Sequence, residues 1–320
     1  MEKQILEIKV PKESEETPEA ASALFASLSN IKSSLLAKLA GREKCITFEI
    51  ALFQQIIRFY AVVSSDFEPY FISQLTAQYP KAIISRVKDY LADWSLKKAS
   101  FGQLVLSKSY YYPLKIYKDF QDIDPLSSLL GTLAKAGPDD KALIQISISP
   151  AGSGYASSAR KLLDKGVPTP DGEHTRGHPQ ANLIQQKISQ KAFKTSIKLL
   201  AVSVDQNAGS SFLNHLAGSF GNLTSGEGNS LTLKKPKISK NNFLASILKR
   251  QLKYTPRYQF LNIEELATIF HLPNENLSKI KNISWGGKMA GEPPENLPIA
   301  LGLTEEQKKE INFFAKTEFR

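Results

Sequence analysis

Eight basic side chains, Lys234, Lys235, Lys237, Lys240, Lys249, Arg250, Lys253 and Arg257, fall between Glu227 and Glu264, an interval that holds no acid. Cations at that density could track a phosphate backbone, and Tyr254, Tyr258 and Phe260 stand among them where bases could stack. The competing reading is a solvated edge of strand and helix with the aromatics turned inward as core. A basic run without a reading motif leaves both open.

Other constellations point to less chemistry. Asp171, Glu173, His174 and His178, in DGEHTRGH, are oxygen and imidazole donors close enough in sequence to hold a divalent cation. No cysteine accompanies them and they sit in Gly- and Pro-bearing sequence rather than on a helix face, so a solvated loop is expected and no metal or other cofactor. A phosphate-cradling loop needs G-x-x-x-x-G-K-[ST]. Gly287-Lys288 is followed by Met289 and has Asn282 where the first glycine belongs, which excludes that loop there. Ser153 in AGSGYA reads as a turn, because no G-x-S-x-G elbow surrounds it. Cys45, in the alternating CITFEI, reads as a small buried hydrophobe, and a single cysteine excludes an internal disulfide framework. His215 reads as a helix-face residue, and His271 as a helix-end residue complementing the dipole. Asn222-Leu-Thr224 and Asn282-Ile-Ser284 fit the glycosylation pattern without a secretory signal to make it meaningful. The expectation is a chain that is not an enzyme in these residues, with no catalytic residue.

The elements that would position the basic interval follow from periodicity. ILEIKV reads as a strand; Leu24, Leu28, Ile31, Leu35 and Leu39 mark a helix stopped at Gly41. CITFEIAL and IIRFYAVV form a hairpin through Phe53-Gln54-Gln55. Ser65 or Asp66 caps a helix, EPYFISQLTAQY, that ends at Pro80. AIISRV is a strand, and Pro113 divides GQLVLSKSYYYPLKIY into two. DPLSSLLGTLAKAG is a helix with Asp124 as cap, Pro125 in the first turn and Gly137 in the left-handed terminal position. KALIQISISP closes the unit. Beyond 151–182 come a long strand KISQKAFKTSIKLLAVSV, a helix NAGSSFLNHLAGSFGNL, a strand NSLTLKK, a helix NNFLASILKRQL and a strand RYQFLN. FLNIEELATIFHLP is a helix with Asn262 and Glu265 as a capping box, an apolar stripe of Leu266, Ile269 and Phe270, and a stop at Pro273. ISWGGKMAGEPPENLPIALGL is extended, and TEEQKKEINFFAKTEFR opens with a capping signature.

These elements predict an α+β fold of two ferredoxin-like (split βαβ) halves with an added N-terminal helix and hairpin strand. The expected divisions are 1–41 for the N-terminal strand and helix, 42–150 for the first half, 151–182 for a linker or mobile loop, 183–272 for a degenerate second half, and 273–320 for an extended tail. With 320 residues, 42% of them hydrophobic, two domains fit better than one, and the net charge of +10 favours an acidic partner. No secretory leader or apolar run of spanning length is visible, so a cytoplasmic chain is expected.

Taken in order, LEIKVPKESEETPEAASALFASL, ITFEI with IRFYAVV, QYPKAII, YYYPLKIYKDFQDIDPLSSLLGTLAK, ALIQISISP, FLNIEELATIFHLP and ISWGGKMAGEPPENLPIALG resemble the N-terminal, pre-motor region of type IV secretion and conjugative DNA-transfer ATPases, as found in small-genome bacterial lineages. The resemblance runs from about Ile5 to Arg320 and its specificity lies in the order of weak motifs. It implies a non-catalytic scaffold that packs against a RecA-like motor ATPase domain or subunit, meets type IV secretion channel components at the inner membrane, and forms homo-oligomers through the motor. Single-stranded DNA or an anionic membrane surface would be the partner of the basic interval. The alternative is a stand-alone nucleic-acid-binding protein using residues 234–257.

Overall fold

A computed structural model describes residues 2–30, 45–121, 123–152, 154–168 and 175–287. By contacts the chain divides into Met1–Gly286 and Gly287–Arg320; of the latter only Gly287 is described, and every element below lies in Met1–Gly286. The apolar positions beyond residue 30 that extend the first predicted helix, Ser153, the loop residues Asp171, Glu173 and His174, Lys288-Met289 and the final capping signature lie outside the described residues.

The fold is α+β, built on one open antiparallel sheet. Its strands are β1 (Lys3–Lys9), β2 (Ile46–Phe53), β3 (Ile56–Ser64), β4 (Ile83–Val87), β5 (Ser100–Leu106), β6 (Lys141–Pro150), β9 (Ala192–Val202), β10 (Leu231–Lys234) and β11 (Phe260–Asn262); β7 (Val167–Pro168) and β8 (Thr175–Arg176) form a separate two-residue ladder. Eight α-helices stand among the described residues: α1 (Pro18–Leu28), α2 (Glu68–Gln78), α3 (Ser127–Ala134), α4 (Ser157–Lys165), α5 (Ala181–Ser189), α6 (Gln206–Gly218), α7 (Lys240–Leu248) and α8 (Ile263–Ile269).

The spatial order, β10-β5-β9-β6-β2-β3-β1-β4, resolves into one pattern used twice. In β1-α1-β2-β3-α2-β4 the fourth strand flanks the first, then come the third and the second. In β5-α3-β6-β9-α6-β10 the order is the same. The two units join edge to edge where β2 pairs with β6 over seven residues, Ile46↔Ile148 to Leu52↔Ala142.

This corrects the expected divisions. The N-terminal strand and helix, set apart at 1–41, are the first strand and helix of the first unit. The seam lies in residues 88–99, between β4 and β5, instead of at 151–182. Residues 151–191 are an insertion between β6 and β9 that carries α4, the β7–β8 ladder and α5, with Ala156, Ala159, Ile184 and Ile188 as its own small core. Local signals misled here because pairing partners, which decide membership of a unit, are remote in sequence.

Strand alternation sets the two faces of the sheet. Leu6, Phe48, Ile50, Phe59, Ala61, Ile144, Ile146, Ile197 and Leu199 face one side and are covered by α1, α2, α3, α6 and α8. On the other side Tyr60, Val62, Leu143 and Leu200 meet α7 and the turn Tyr90–Asp93. The β2–β3 turn places Gln54 and Gln55 at φ 52° and 57°, the paired left-handed geometry that matches strand twist in a two-residue hairpin.

Several local expectations shift. The cap of α2 is Phe67, not Ser65 or Asp66. Past Leu106 the Tyr-Pro segment is irregular rather than a second strand. Gly137 does not adopt a left-handed conformation; its N–H donates to Asp140 Oδ2 at 2.7 Å. Lys187–Ser189, expected in a strand, close α5. The capping box of α8 forms as expected, Glu265 N donating to Asn262 Oδ1 and Asn262 N to Glu265 Oε2, both at 2.9 Å. Helix α8 ends at Ile269, before Pro273, and Phe270 turns into the first unit, 4.8 Å from the Phe48 ring and 6.1 Å from Phe59. The chain then adds isolated bridges, with Ile57 N donating to Asn282 O (2.7 Å), Ser284 N to Ile57 O (2.9 Å) and Gly286 N to Val10 O (2.8 Å).

Candidate nucleic-acid interface

The basic interval begins on the sheet edge. Lys234 closes β10 opposite Gln103, and Lys235 and Lys237 follow it, all three exposed. Ser239 caps α7, accepting from Asn242 N, and Lys240 Nζ donates to Lys97 O at 2.7 Å. Helix α7 lays Phe243, Leu244 and Ile247 on the second face, which turns Lys249 outward. Lys253 and Arg257 are exposed in the irregular stretch that leads to β11.

Arg250 departs from the expected role. At φ 46° the chain turns back on the end of α7, and Arg250 is 3% exposed. Its Nε donates to Glu49 Oε1 at 3.2 Å, Nη2 to Asp89 Oδ1 at 2.8 Å, and Nη1 to Asp89 Oδ2. Glu49, fully buried in mid-β2, also accepts from Tyr90 Oη (2.7 Å) and Gln145 Nε2 (2.8 Å). Arg250 is therefore no phosphate ligand. Burial opposes its charge, but Glu49 and Asp89 outweigh burial and raise its pKa, while Arg250 in turn holds Asp89 below the usual carboxylate range against the same penalty.

This cluster is part of a longer device. The registers place Lys234, Gln103, Lys198, Gln145, Glu49, Tyr60, Glu7 and Ser85 opposite one another in turn, one polar row across eight strands on the second face. Lys198 Nζ, at its middle, donates to Gln251 O (2.6 Å) and Ser246 Oγ (2.9 Å), and burial lowers its pKa to about 8. Sequence signals for the row existed: long polar side chains inside largely apolar strands, Glu49 in CITFEIAL, Gln145 in KALIQISISP and Lys198 in SIKLLAV.

Two further buried pairs lie elsewhere. Lys187 Nζ is 2.9 Å from Glu265 Oε1, both side chains inaccessible, and Glu265 also accepts from Leu114 N. His271, read as a helix-end residue, stands just past the end of α8 and is buried: Nδ1 is 2.8 Å from Ala267 O and Nε2 3.0 Å from Asp124 Oδ1. Asp124 turns the start of α3 by accepting from Leu126 N. Burial would raise its pKa; His271, Leu126 N and Asn274 together lower it.

The aromatics divide. Phe260 turns inward, 5.3 Å from Tyr110 and 5.9 Å from Tyr155. Tyr254 and Tyr258 are 39% and 54% exposed. Tyr258 borders a groove of about 400 Å³ with Lys108, Tyr110, Tyr111, Pro256 and Gln259, and the Arg257 guanidinium lies 5.1 Å from its ring centroid. Sequence reasoning missed the β5 side of this groove, since YYYP stands more than a hundred residues from Tyr258.

His178, the one described member of the proposed metal loop, has Nε2 3.3 Å from Tyr112 Oη and accepts from Gln180 N at Nδ1. His215 is exposed on α6, as expected. Cys45 is half-buried, its Sγ 3.8 Å from Thr47 Oγ1. No helix among the described residues is long and apolar enough to cross a membrane.

Residues 1–285 match the family described as a domain of unknown function, DUF8128, and none of the curated proteins matches the chain.

Proposed function

As the chain belongs to the DUF8128 family, whose description assigns no activity, we propose from its sequence and geometry that it is a non-catalytic scaffold and interaction domain of a type IV secretion or conjugative DNA-transfer ATPase. The two β-α-β-β-α-β units read as ferredoxin-like halves fused through β2 and β6. In this reading they pack against a RecA-like motor and seat it beside the channel at the inner membrane. The observation that carries the reading is the anchoring of residues 274–286. Glu275 N donates to Ser14 O (2.9 Å), and the bridges to Ile57 and Val10 follow, so the chain reaches Gly286 from a fixed point on the first unit. A rigid exit is what a domain needs to hold whatever follows it in a set orientation. The buried pairs Arg250–Glu49, Lys187–Glu265 and His271–Asp124, each closed on itself, suit a scaffold rather than a reaction centre.

The test is co-purification with a Walker-bearing motor encoded downstream or alongside, by size-exclusion chromatography. Co-elution that is lost when Ile283→Asp frees the exit is expected. Absence of a motor-encoding frame, or a motor that elutes apart from the intact chain, overturns the reading.

A second reading is favoured by one observation: Lys234, Lys235, Lys237, Lys249, Lys253 and Arg257 remain exposed, with Tyr254 and Tyr258 exposed among them. In it the interval contacts single-stranded nucleic acid. Charge reversal at Lys234, Lys235 and Lys237 together should weaken single-stranded DNA binding and flatten its salt dependence. Unchanged binding removes this reading.

A further inference from the structure

We propose that the groove between Tyr258 and Tyr111 is a base-binding subsite for single-stranded nucleic acid, in which one base stacks on Tyr258 and donates an N–H to Gln259 Oε1 while Lys108 and Arg257 take the flanking phosphates. This deepens the second reading above and rests on it. Three independent features meet there. The first is an exposed aromatic ring held rigidly: Tyr258 stacks on the largely buried Tyr110 at 6.1 Å and 19°, and Tyr110 packs edge-on against Phe260. An aromatic platform fixed before the ligand arrives loses little entropy on binding. The second is charge. Among the residues lining the groove there is a lysine and no acid, and the planar Arg257 guanidinium already occupies the stacking distance from Tyr258 that a base would take. A base entering would displace it toward the adjoining phosphate.

The third is an unfilled hydrogen bond. Gln259 is 2% exposed and lines the groove; its Nε2 donates to Leu104 O at 3.0 Å, and its Oε1 has no partner. Its backbone is held, Thr195 N donating to Gln259 O at 2.9 Å, so Oε1, which the fold covers, meets a ligand by rotation of the side chain toward the groove. A buried acceptor left open is unfavourable, and a ligand N–H offsets that cost. Because Oε1 only accepts, the base must bring a donor edge. The exocyclic amino groups of cytosine, adenine and guanine supply one; thymine and uracil place their single ring N–H between two carbonyls, which face Oε1 unfavourably.

Fluorescence anisotropy of the intact chain at low salt tests this with labelled oligo-dC, oligo-rC, oligo-dT and an abasic phosphodiester strand of equal length. Expected is tighter binding of oligo-dC or oligo-rC than of oligo-dT, and of all three than of the abasic strand. Tyr258→Ala, at an exposed site, should weaken the cytosine strands roughly tenfold and leave the abasic strand unaffected. Gln259→Leu, checked for folding by circular dichroism, should erase the preference over oligo-dT. Equal affinity for abasic and base-bearing strands, or no effect of Tyr258→Ala, overturns the subsite while leaving a backbone-tracking interval intact. Binding to none of the strands, or equally to poly-glutamate, overturns both.

Discussion

Within the twenty-seven positions from Lys234 to Phe260, two regions of the same composition meet opposite fates. Around Arg250 the charge is sealed: one guanidinium, two carboxylates, a tyrosine hydroxyl and a glutamine amide close on one another beneath the end of α7. Around Tyr258 it stays open, with Lys108 and Arg257 exposed beside a groove and the Gln259 oxygen unfilled. What separates the two is the origin of the acids. Glu49 and Asp89 reach Arg250 from β2 and from the seam between the units, whereas no acid lines the groove. A run of like charges is thus a binding surface only where the fold brings it no counter-charge.

The sharpest break of this contrast is Arg250→Met, which leaves Glu49 without a cation in the sheet. Removing one partner of a buried pair costs about 3–5 kcal/mol, and urea denaturation should register that loss while single-stranded nucleic-acid affinity of the folded fraction stays unchanged. A loss below 1 kcal/mol would mean that water already serves Glu49, and the sealed region would be open after all. Adding Glu49→Gln should recover part of the loss, because the remaining carboxylate, Asp89, is exposed to water.

A smaller effect is expected at Asp124. Asp124→Asn removes the charged partner of His271 while keeping the acceptor for Leu126 N, and should cost about 2 kcal/mol at neutral pH. The sign of the pH dependence follows from the direction of the shift. A carboxyl whose folded pKa lies below its unfolded one stabilises the fold above the unfolded value, and the contribution is lost as pH falls through the folded value. Acid-range denaturation curves should therefore be shallower in Asp124→Asn than in the parent, and parallel curves would detach Asp124 from the stability of α3.

Lys198 has the opposite sign. Its pKa falls from 10.5 to about 8 on folding, so the unfolded chain binds more protons between those values and stability must rise with pH across that window. The gain should reach on the order of 2 kcal/mol by pH 10, beyond which Tyr60 and Tyr79, whose pKa values are raised by burial, reverse the trend as the unfolded tyrosines ionise first. Lys198→Met should flatten the rise. If it persists, the middle of the polar row is solvated and the contrast with the groove narrows.

What was legible in the sequence follows the same division between local and remote causes. The α8 capping box, the β2–β3 hairpin and the strand alternation depend on residues within a few positions of one another, and they form as the periodicity requires. The α+β class was legible, but the strand order was not, because β1 inserts between β3 and β4 and β9 between β5 and β6. Exposure of Lys234 and Lys235 was readable; the withdrawal of Arg250 was not, since its partners lie 201 and 161 residues away. The long polar side chains inside β2, β6 and β9 were the available warning. Strands that place Glu, Gln or Lys at central positions among buried neighbours must bring those positions together or leave them unpaired.

The smallest effect on stability, and the largest on binding, belongs to the exposed edge. Charge reversal of Lys234, Lys235 and Lys237 to Glu should shift stability by no more than about 0.5 kcal/mol at each site, as surface changes do, because all three side chains are exposed at the edge of the sheet. Lys234 needs the closest attention, since it ends the polar row next to Gln103. There a glutamate gains no partner, but it also displaces none. If the open region is the binding surface, the slope of log affinity against log salt should fall by about one for each lysine that contacts a phosphate. The same measurement on Arg250→Met should show no change in slope. An Arg250 variant that flattened the salt dependence as much as the lysine variant would erase the distinction between the sealed and open regions, and would require the guanidinium to leave Glu49 when nucleic acid binds.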